Sequence, residues 1–219
     1  MMKINVITID GPSASGKGAL ALKISNHFGF KILDSGVLYR LYAYFFKMDL
    51  PYEEIAKQIR TNIKFNTNKK RLSITYKEND ITSELRSEVI AKLASEHSSK
   101  KTVRDSLYDI QRNFYKGDIL VADGRDMGTV VFKDAKLKIF LTASTEERAK
   151  RRYLELQNRG QEVNMPALIA DIKERDFQDS SREISPLIPA EDSIIIDSSK
   201  MSLQEVFSFT EDLIKKEFK

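Results

Sequence analysis

The chain reads as an α/β protein with a parallel sheet flanked by helices and a small antiparallel insertion. Three observations carry that reading. Short β-branched runs alternate with segments of helical periodicity, as crossover-connected parallel strands require. The first of these runs ends in the glycine loop Gly11-Pro12-Ser13-Ala14-Ser15-Gly16-Lys17. Between residues 61 and 83 the rhythm breaks into short alternating segments separated by Asn and Lys clusters, the pattern of a meander.

The elements follow in order. Ile4-Asn5-Val6-Ile7-Thr8-Ile9 predicts a buried strand that stops at Gly11-Pro12. Leu20, Leu22, Ile24 and Phe28 then fall at near-helical spacing. Lys31-Ile32-Leu33 predicts a second short strand ending at Asp34-Ser35-Gly36, and Val37 to Met48 returns to a helical pattern through Leu38, Leu41, Tyr42, Phe45 and Phe46. The meander is expected from Ile63-Lys64-Phe65, Arg71-Leu72-Ser73-Ile74-Thr75-Tyr76 and Asp80-Ile81-Thr82. Ser83 to Asn113, with Leu85, Val89, Leu93, Val103, Leu107 and Ile110 as its apolar positions, predicts two helices. Ile119-Leu120-Val121-Ala122, Leu137-Lys138-Ile139-Phe140-Leu141 and Ile194-Ile195-Ile196 complete the expected core strands, with helices between and after them.

Composition narrows the function. At 219 residues, with 41% apolar and 31% charged residues, the chain suits one domain, 1–219, carrying an insertion at about 61–112. The 36 basic residues are nearly balanced by 32 acidic ones, so no polynucleotide partner is expected. Without cysteine there is no disulfide, thiol catalysis or cysteine metal site, which fits a reducing compartment, and the cytoplasm is expected. The apolar run Ile4 to Ile9 is too short for a signal segment, and no apolar stretch approaches the ~20 residues that cross a bilayer. A monomer without membrane partners is expected.

The glycine loop satisfies GxxxxGK between a strand and a helix, the context its chemistry needs. Backbone N–H groups turn around an anion, the helix N-terminus adds its dipole, and Lys17 reaches the β and γ phosphates. Gly18 stands where a Ser or Thr hydroxyl often touches Mg²⁺, and Ala19 follows it. The metal is therefore assigned to carboxylates at the same sheet edge, acting through water: Asp34 and Asp123, with Asp10 beside them.

Three further motifs identify the acceptor. Asp34-Ser35-Gly36-Val37-Leu38-Tyr39-Arg40, Asp123-Gly124-Arg125-Asp126-Met127-Gly128-Thr129, and Lys173-Glu174-Arg175-Asp176 with Asp179 and Arg182 resemble, together with the loop, the motifs of bacterial cytidylate kinases. The resemblance runs in order from residue 4 to about residue 200. It implies the P-loop nucleoside monophosphate kinase fold, MgATP as phosphate donor, and CMP or dCMP as acceptor in pyrimidine nucleotide metabolism. It further implies that Ser35, Arg40, Arg125 and Arg182 bind the acceptor phosphate, that Ser95, Arg104 and Asp126 contact cytosine, and that Arg175 and Asp179 contact the sugar. Gly11 to Ala19 would hold ATP together with Arg148, Arg151 and Arg152, in a lid at about 148–164. Lys17, Arg125, Arg182 and Arg151 would be the catalytic cations. Ala19 departs from the family's usual Thr or Ser.

Chemistry agrees with these assignments. Cytosine offers an amine as donor and O2 and N3 as acceptors, which a carboxylate or hydroxyl and an arginine complement. Uracil would leave groups unpaired at ~1–3 kcal/mol each. Guanidinium forks match phosphate geometry, and phosphoryl transfer depends on positioning and cationic stabilisation. His27 and His97 lack partners at motif spacing and are read as surface or packing residues. Two alternatives stand beside this reading: a P-loop kinase for UMP or another small metabolite, and a nucleotide-dependent switch. Against the switch, Asn68-Lys69-Lys70-Arg71 lacks the aspartate of a guanine-reading NKxD motif.

Overall fold

A computed structural model describes residues 3–67, 72–158 and 160–218. The expected contributions of Asn68 to Arg71 and of Arg159 in the lid lie outside the described residues. The chain divides into two compact units, Met1–Ile32 with Gly117–Lys219, and Leu33–Lys116. The expected insertion at 61–112 falls within the second.

The first unit is built on a five-stranded sheet. Its strands are β1 (Ile4–Asp10), β2 (Lys31–Asp34), β6 (Leu120–Gly124), β7 (Ala135–Thr142) and β8 (Ile194–Asp197), in the order β2-β6-β1-β7-β8. The boundary between the units falls inside β2, whose Lys31 N donates to Ile119 O at 3.0 Å. β1 lies at the centre, parallel to β6 and β7, with Asp10 in register with Gly124 on one side and Phe140 on the other. β7 pairs in parallel with β8. This register brings the segments after β1, β6 and β7 out at one edge, where parallel sheets bind ligands.

The core follows from the sequence pattern. β1 is buried on both faces from Val6 onward, which is why its β-branched run is continuous rather than alternating. Helix α1 (Lys17–Phe28) sets Leu20, Ala21 and Ile24 against the sheet. Helix α9 (Leu203–Glu217) begins with a capping box between Ser202 and Glu205 and buries Val206, Phe207 and Ile214. Each such side chain contributes ~1.5–3 kcal/mol on burial. Helices α7 (Thr145–Gln157) and α8 (Met165–Ser181) join through a separate cluster of Ala149, Leu156, Leu168 and Ile172. The segment after β6 forms a single π-helical turn, Met127–Val131, that the sequence pattern does not announce.

The second unit contains helices and a three-stranded antiparallel sheet, β3 (Ile63–Thr67), β4 (Leu72–Tyr76) and β5 (Asn79–Asp80). Lys77 and Glu78, at φ 45 and 71, form the β4–β5 turn, a backbone shape that suits a two-residue hairpin. Helix α2 (Ser35–Lys47) is capped by Asp34, which accepts from Val37 N. It packs through Ala43 on Ile90 and Ala94 of α5 (Glu88–His97). Where two helices were expected after residue 83, there are three: α4 (Thr82–Leu85), α5 and α6 (Lys101–Arg112). The single turn of α4 ends at Arg86, and Ser87 then caps α5. Helix α3 (Tyr52–Asn62) was not foreseen, because it buries only Ile55 and Ile59.

Candidate active site

The glycine loop joins β1 to α1, and two of its glycines are fixed by geometry. Gly11 has φ 147, and a Cβ there would stand 2.0 Å from Leu141 O of the adjacent strand. Gly16, at φ 98, is the N-cap of α1. Between them Ala14 also takes the left-handed region, at φ 58, which a residue with a Cβ adopts only when its surroundings hold it there. Lys17 is buried, and its Nζ donates to Pro12 O at 2.7 Å and Ser15 Oγ at 3.4 Å. Burial, followed by the nearby charge of Arg125, lowers its pKa to about 7, against the opposing pull of Asp123, Asp10 and Asp179.

The segment after β6 is tied to the end of β1. Asp10 accepts from Met127 N at 2.8 Å and from Gly128 N at 2.7 Å, one bond to each oxygen. Burial raises its pKa to about 6 despite those two bonds. Asp10 thus holds the π turn and, with it, Asp126 at the head of that turn, which is itself buried. The carboxylate that sequence reading placed among the metal candidates is committed to backbone.

A cationic cluster shares this unit. Arg125 Nε donates to Asp179 Oδ2 at 2.9 Å, and Arg182 approaches Asp179 Oδ1 at 3.4 Å. Burial alone would raise the Asp179 carboxyl, but Arg125 and Arg182 hold it below its usual value. Burial likewise opposes the charge on Arg125, and Asp179 more than offsets it. Arg175 acts on the same carboxylate.

Two arginines of α7 face the outside of the loop. Arg148 donates to Ser13 O at 3.3 Å and Arg151 to Ser15 O at 2.9 Å. Arg151 is further held by Ser198 after β8, to its Oγ at 3.1 Å and its carbonyl at 2.7 Å. Arg148 is paired with Asp176 of α8. Arg152 pairs instead with Glu155 at 2.8 Å. Sequence reading missed Ser198 and the part played by Asp176, although it quoted Asp176 inside a motif.

The second unit carries the other expected residues. Ser35 is buried and accepts from Gln111 Nε2 at 2.8 Å. Arg40, on the same helix, donates to Leu85 O at 2.8 Å. Arg104 is buried on α6, donates to Ser98 O at 2.8 Å and lies 5.5 Å from the centroid of the Tyr39 ring. Ser95 is half-buried on α5. His97 packs between the Tyr42 and Phe46 rings, a packing role. His27 lies at the surface of the first unit, 3.3 Å from Glu211.

Magnesium fits the carboxylates only as an ion carried with phosphate. Among the described residues no three His, Cys, Asp or Glu side chains form a metal-binding group. Gly18 is exposed at the first turn of α1, and a Cβ there would stand 3.2 Å from Asp123 Oδ2. A carboxylate thus reaches the place where a loop hydroxyl is missing. Asp34 caps α2 through Oδ1, which accepts from Val37 N at 3.1 Å. Within the first unit, Mg²⁺ holding the one carboxylate of Asp123 with phosphate oxygens and several waters suits the loop.

Comparison with known proteins shows the family. The family model described as cytidylate kinase matches residues 7–216. The chain belongs to the cytidylate kinase family. It is 43% identical over 216 residues to a cytidylate kinase of Photorhabdus laumondii, covering 96% of this chain and 95% of that protein. It is 46% identical over 210 residues to that of Stutzerimonas stutzeri, covering 93% and 92%. Among solved structures, an uncharacterized protein from Eubacterium ventriosum superposes with a TM-score of 0.54 at 14% identity, over 98% of this chain and 99% of that one, a likeness of fold alone. The expected parallel sheet flanked by helices, with its small antiparallel sheet, is the architecture found. No helix among the described residues is long and apolar enough to cross a membrane.

Proposed function

We propose that the protein transfers the γ-phosphoryl group of ATP to CMP and dCMP, giving CDP and dCDP. The single observation that carries this reading is the pairing, at one edge of one sheet, of a phosphate loop holding a buried Lys17 with the Arg125–Asp179–Arg182 cluster. A loop alone binds a nucleotide, whereas a second set of arginines receives another phosphate. The relatives' shared name favours CMP over UMP or another small metabolite as acceptor, and favours a kinase over a switch.

In this reading Gly11 to Ala19 bind ATP, with Lys17 on the β and γ phosphates and Arg148, Arg151 and Arg152 on the same side. Ser35, Arg40, Arg125 and Arg182 take the acceptor phosphate, Ser95, Arg104 and Asp126 read cytosine, and Arg175 and Asp179 contact the sugar. Asp34 and Asp123 hold Mg²⁺ through water, and the ion, when bound, neutralises phosphate charge. Lys17, Arg125, Arg151 and Arg182 stabilise the charge on the transferring group, the main demand of phosphoryl transfer. One kinase domain with a monophosphate-binding insertion at about 61–112 and a lid at about 148–164 completes the picture. The enzyme acts as a cytoplasmic monomer on free nucleotides rather than on polynucleotide.

The test is base preference in Asp126→Ala. Losing a buried group paired with the cytosine amine removes ~1–3 kcal/mol of discrimination, or about 5- to 150-fold in the CMP to UMP ratio of kcat/KM. An unaltered ratio would remove Asp126 from base reading.

A further inference from the structure

Asp176 has no place in the reading above, and its geometry supplies one. Its partner Arg148 is 4% exposed. A guanidinium has five N–H donors, and every one of them is used inside the protein. Nε donates to Ala143 O at 2.9 Å. One terminal nitrogen donates to Ser13 O at 3.3 Å and to Asp176 Oδ1 at 2.9 Å. The other donates to Thr145 Oγ1 at 3.1 Å and to Asp176 Oδ2 at 2.6 Å. No donor is left to meet a phosphate.

Ser13 O belongs to the peptide that leads into Ala14, the residue held in the left-handed region at φ 58. In a trans peptide the carbonyl and the N–H point to opposite sides. Drawing Ser13 O toward Arg148 therefore turns Ala14 N–H to the other face of the loop. Arg151 repeats the arrangement two residues later, where its bond to Ser15 O turns Gly16 N–H away from α7. An anion cradle consists of such N–H groups aimed together.

We propose that Asp176 is a positioning residue for the nucleotide: its bidentate grip on Arg148 keeps the strained Ser13–Ala14 peptide turned toward the phosphates, and Arg148 acts through the loop rather than on the phosphate itself. The inference rests on the reading of this loop as the ATP site. It separates Arg148, whose donors are exhausted, from Lys17, which must reach the ligand.

The test measures MgADP affinity by calorimetry, together with KM for ATP and for CMP, in Asp176→Asn, Asp176→Ala and Arg148→Lys, each with and without Ala14→Gly. Loss of a charge-assisted bond that orients the loop weakens MgADP binding about tenfold and raises KM for ATP in proportion, while KM for CMP stays within about twofold. Ala14→Gly recovers most of the loss, because glycine holds the left-handed conformation unaided. Unchanged or tighter MgADP binding in Asp176→Ala would overturn the proposal, since a freed Arg148 would then be a direct phosphate ligand or the pair would be irrelevant. Wild-type affinity in Arg148→Lys would overturn it too, as charge alone would suffice. Both KM values rising together, with no recovery by Ala14→Gly, would reduce the pair to general scaffolding. If Asp176→Ala does not fold, the Asn and Lys variants decide the matter. MgADP binding needs no acceptor, so a wild-type protein that binds MgADP but leaves CMP unphosphorylated would refute the proposed function without touching this inference.

Discussion

Arg125 and Asp179 are joined by a 2.9 Å hydrogen bond, and the carboxylate's second oxygen faces Arg182 at 3.4 Å. One buried acid thus gathers two arginines from separate segments of the chain, one after β6 and one after α8. Its charge stands, in the proposed function, beside the place where an acceptor phosphate arrives.

Asp179→Ala tests that relationship through stability. Removing one partner of a buried pair leaves uncompensated charge and costs about 3–5 kcal/mol, or roughly 6–20 °C in Tm for a chain of this size. Adding CMP, whose phosphate returns negative charge, restores more of the Tm in the variant than it adds to the wild type. Differential scanning fluorimetry with and without CMP reads both effects. Because the folded carboxyl titrates below its usual 3.8, the stabilisation in the wild type is present at neutral pH and is lost only as pH falls below that value.

Lys17 makes nucleotide binding depend on pH. Its amine titrates near 7 in the free protein instead of 10.5, and phosphate favours the charged form. Binding MgADP at about pH 8.5 therefore draws about one proton from solution, and binding below pH 6 draws almost none. Calorimetry in buffers of different ionisation enthalpy measures the uptake, and equal values at both pH values would contradict the shift. For the free protein the sign is opposite in kind. The unfolded chain binds the extra proton between pH 7 and 10.5, so this group makes the fold more stable as pH rises through that window.

Asp10→Asn should damage acceptor recognition more than ATP binding. The amide would set an NH₂ group against Met127 N–H or Gly128 N–H, leaving a buried donor unpaired at ~1–3 kcal/mol. Asp126 sits directly before that turn, so KM for CMP rises more than KM for ATP and the preference over UMP shrinks. Steady-state kinetics with both acceptors checks this. The wild-type carboxyl, raised to about 6 by burial, holds a proton more tightly folded than unfolded. Its contribution to stability therefore declines as pH rises from 3.8 to about 6, and the variant loses that slope.

The sheet and loop were legible in the sequence because each rests on a local signal. Ile4 to Ile9 reads as a buried strand, and Gly11 to Lys17, set between that strand and a helical pattern, spells a phosphate loop. What escaped depends on weaker or distant signals. Helix α3 shows only Ile55 and Ile59 on its buried face, although Pro51 before it and Glu53 and Glu54 in its first turn mark a helix start. The π turn after Asp126 is too short for any periodicity and is held by Asp10, 117 residues away from Met127 in sequence. The grip of Asp176 on Arg148 spans 28 residues. The arginines of α7 read as cations over ATP, and only burial reveals that Arg148 needs a partner within the protein. The three acids read as metal ligands part ways in the structure for the same reason: Asp10 meets backbone, Asp34 caps a helix, and Asp123 stands beside Gly18.

The most direct test of the central claim is a coupled assay of the purified protein at saturating MgATP across CMP, dCMP, UMP and AMP. The expected result is a kcat/KM for CMP and dCMP that exceeds that for UMP and AMP by about 5- to 150-fold, from the loss of one buried polar pairing. Equal turnover of AMP and CMP would contradict it.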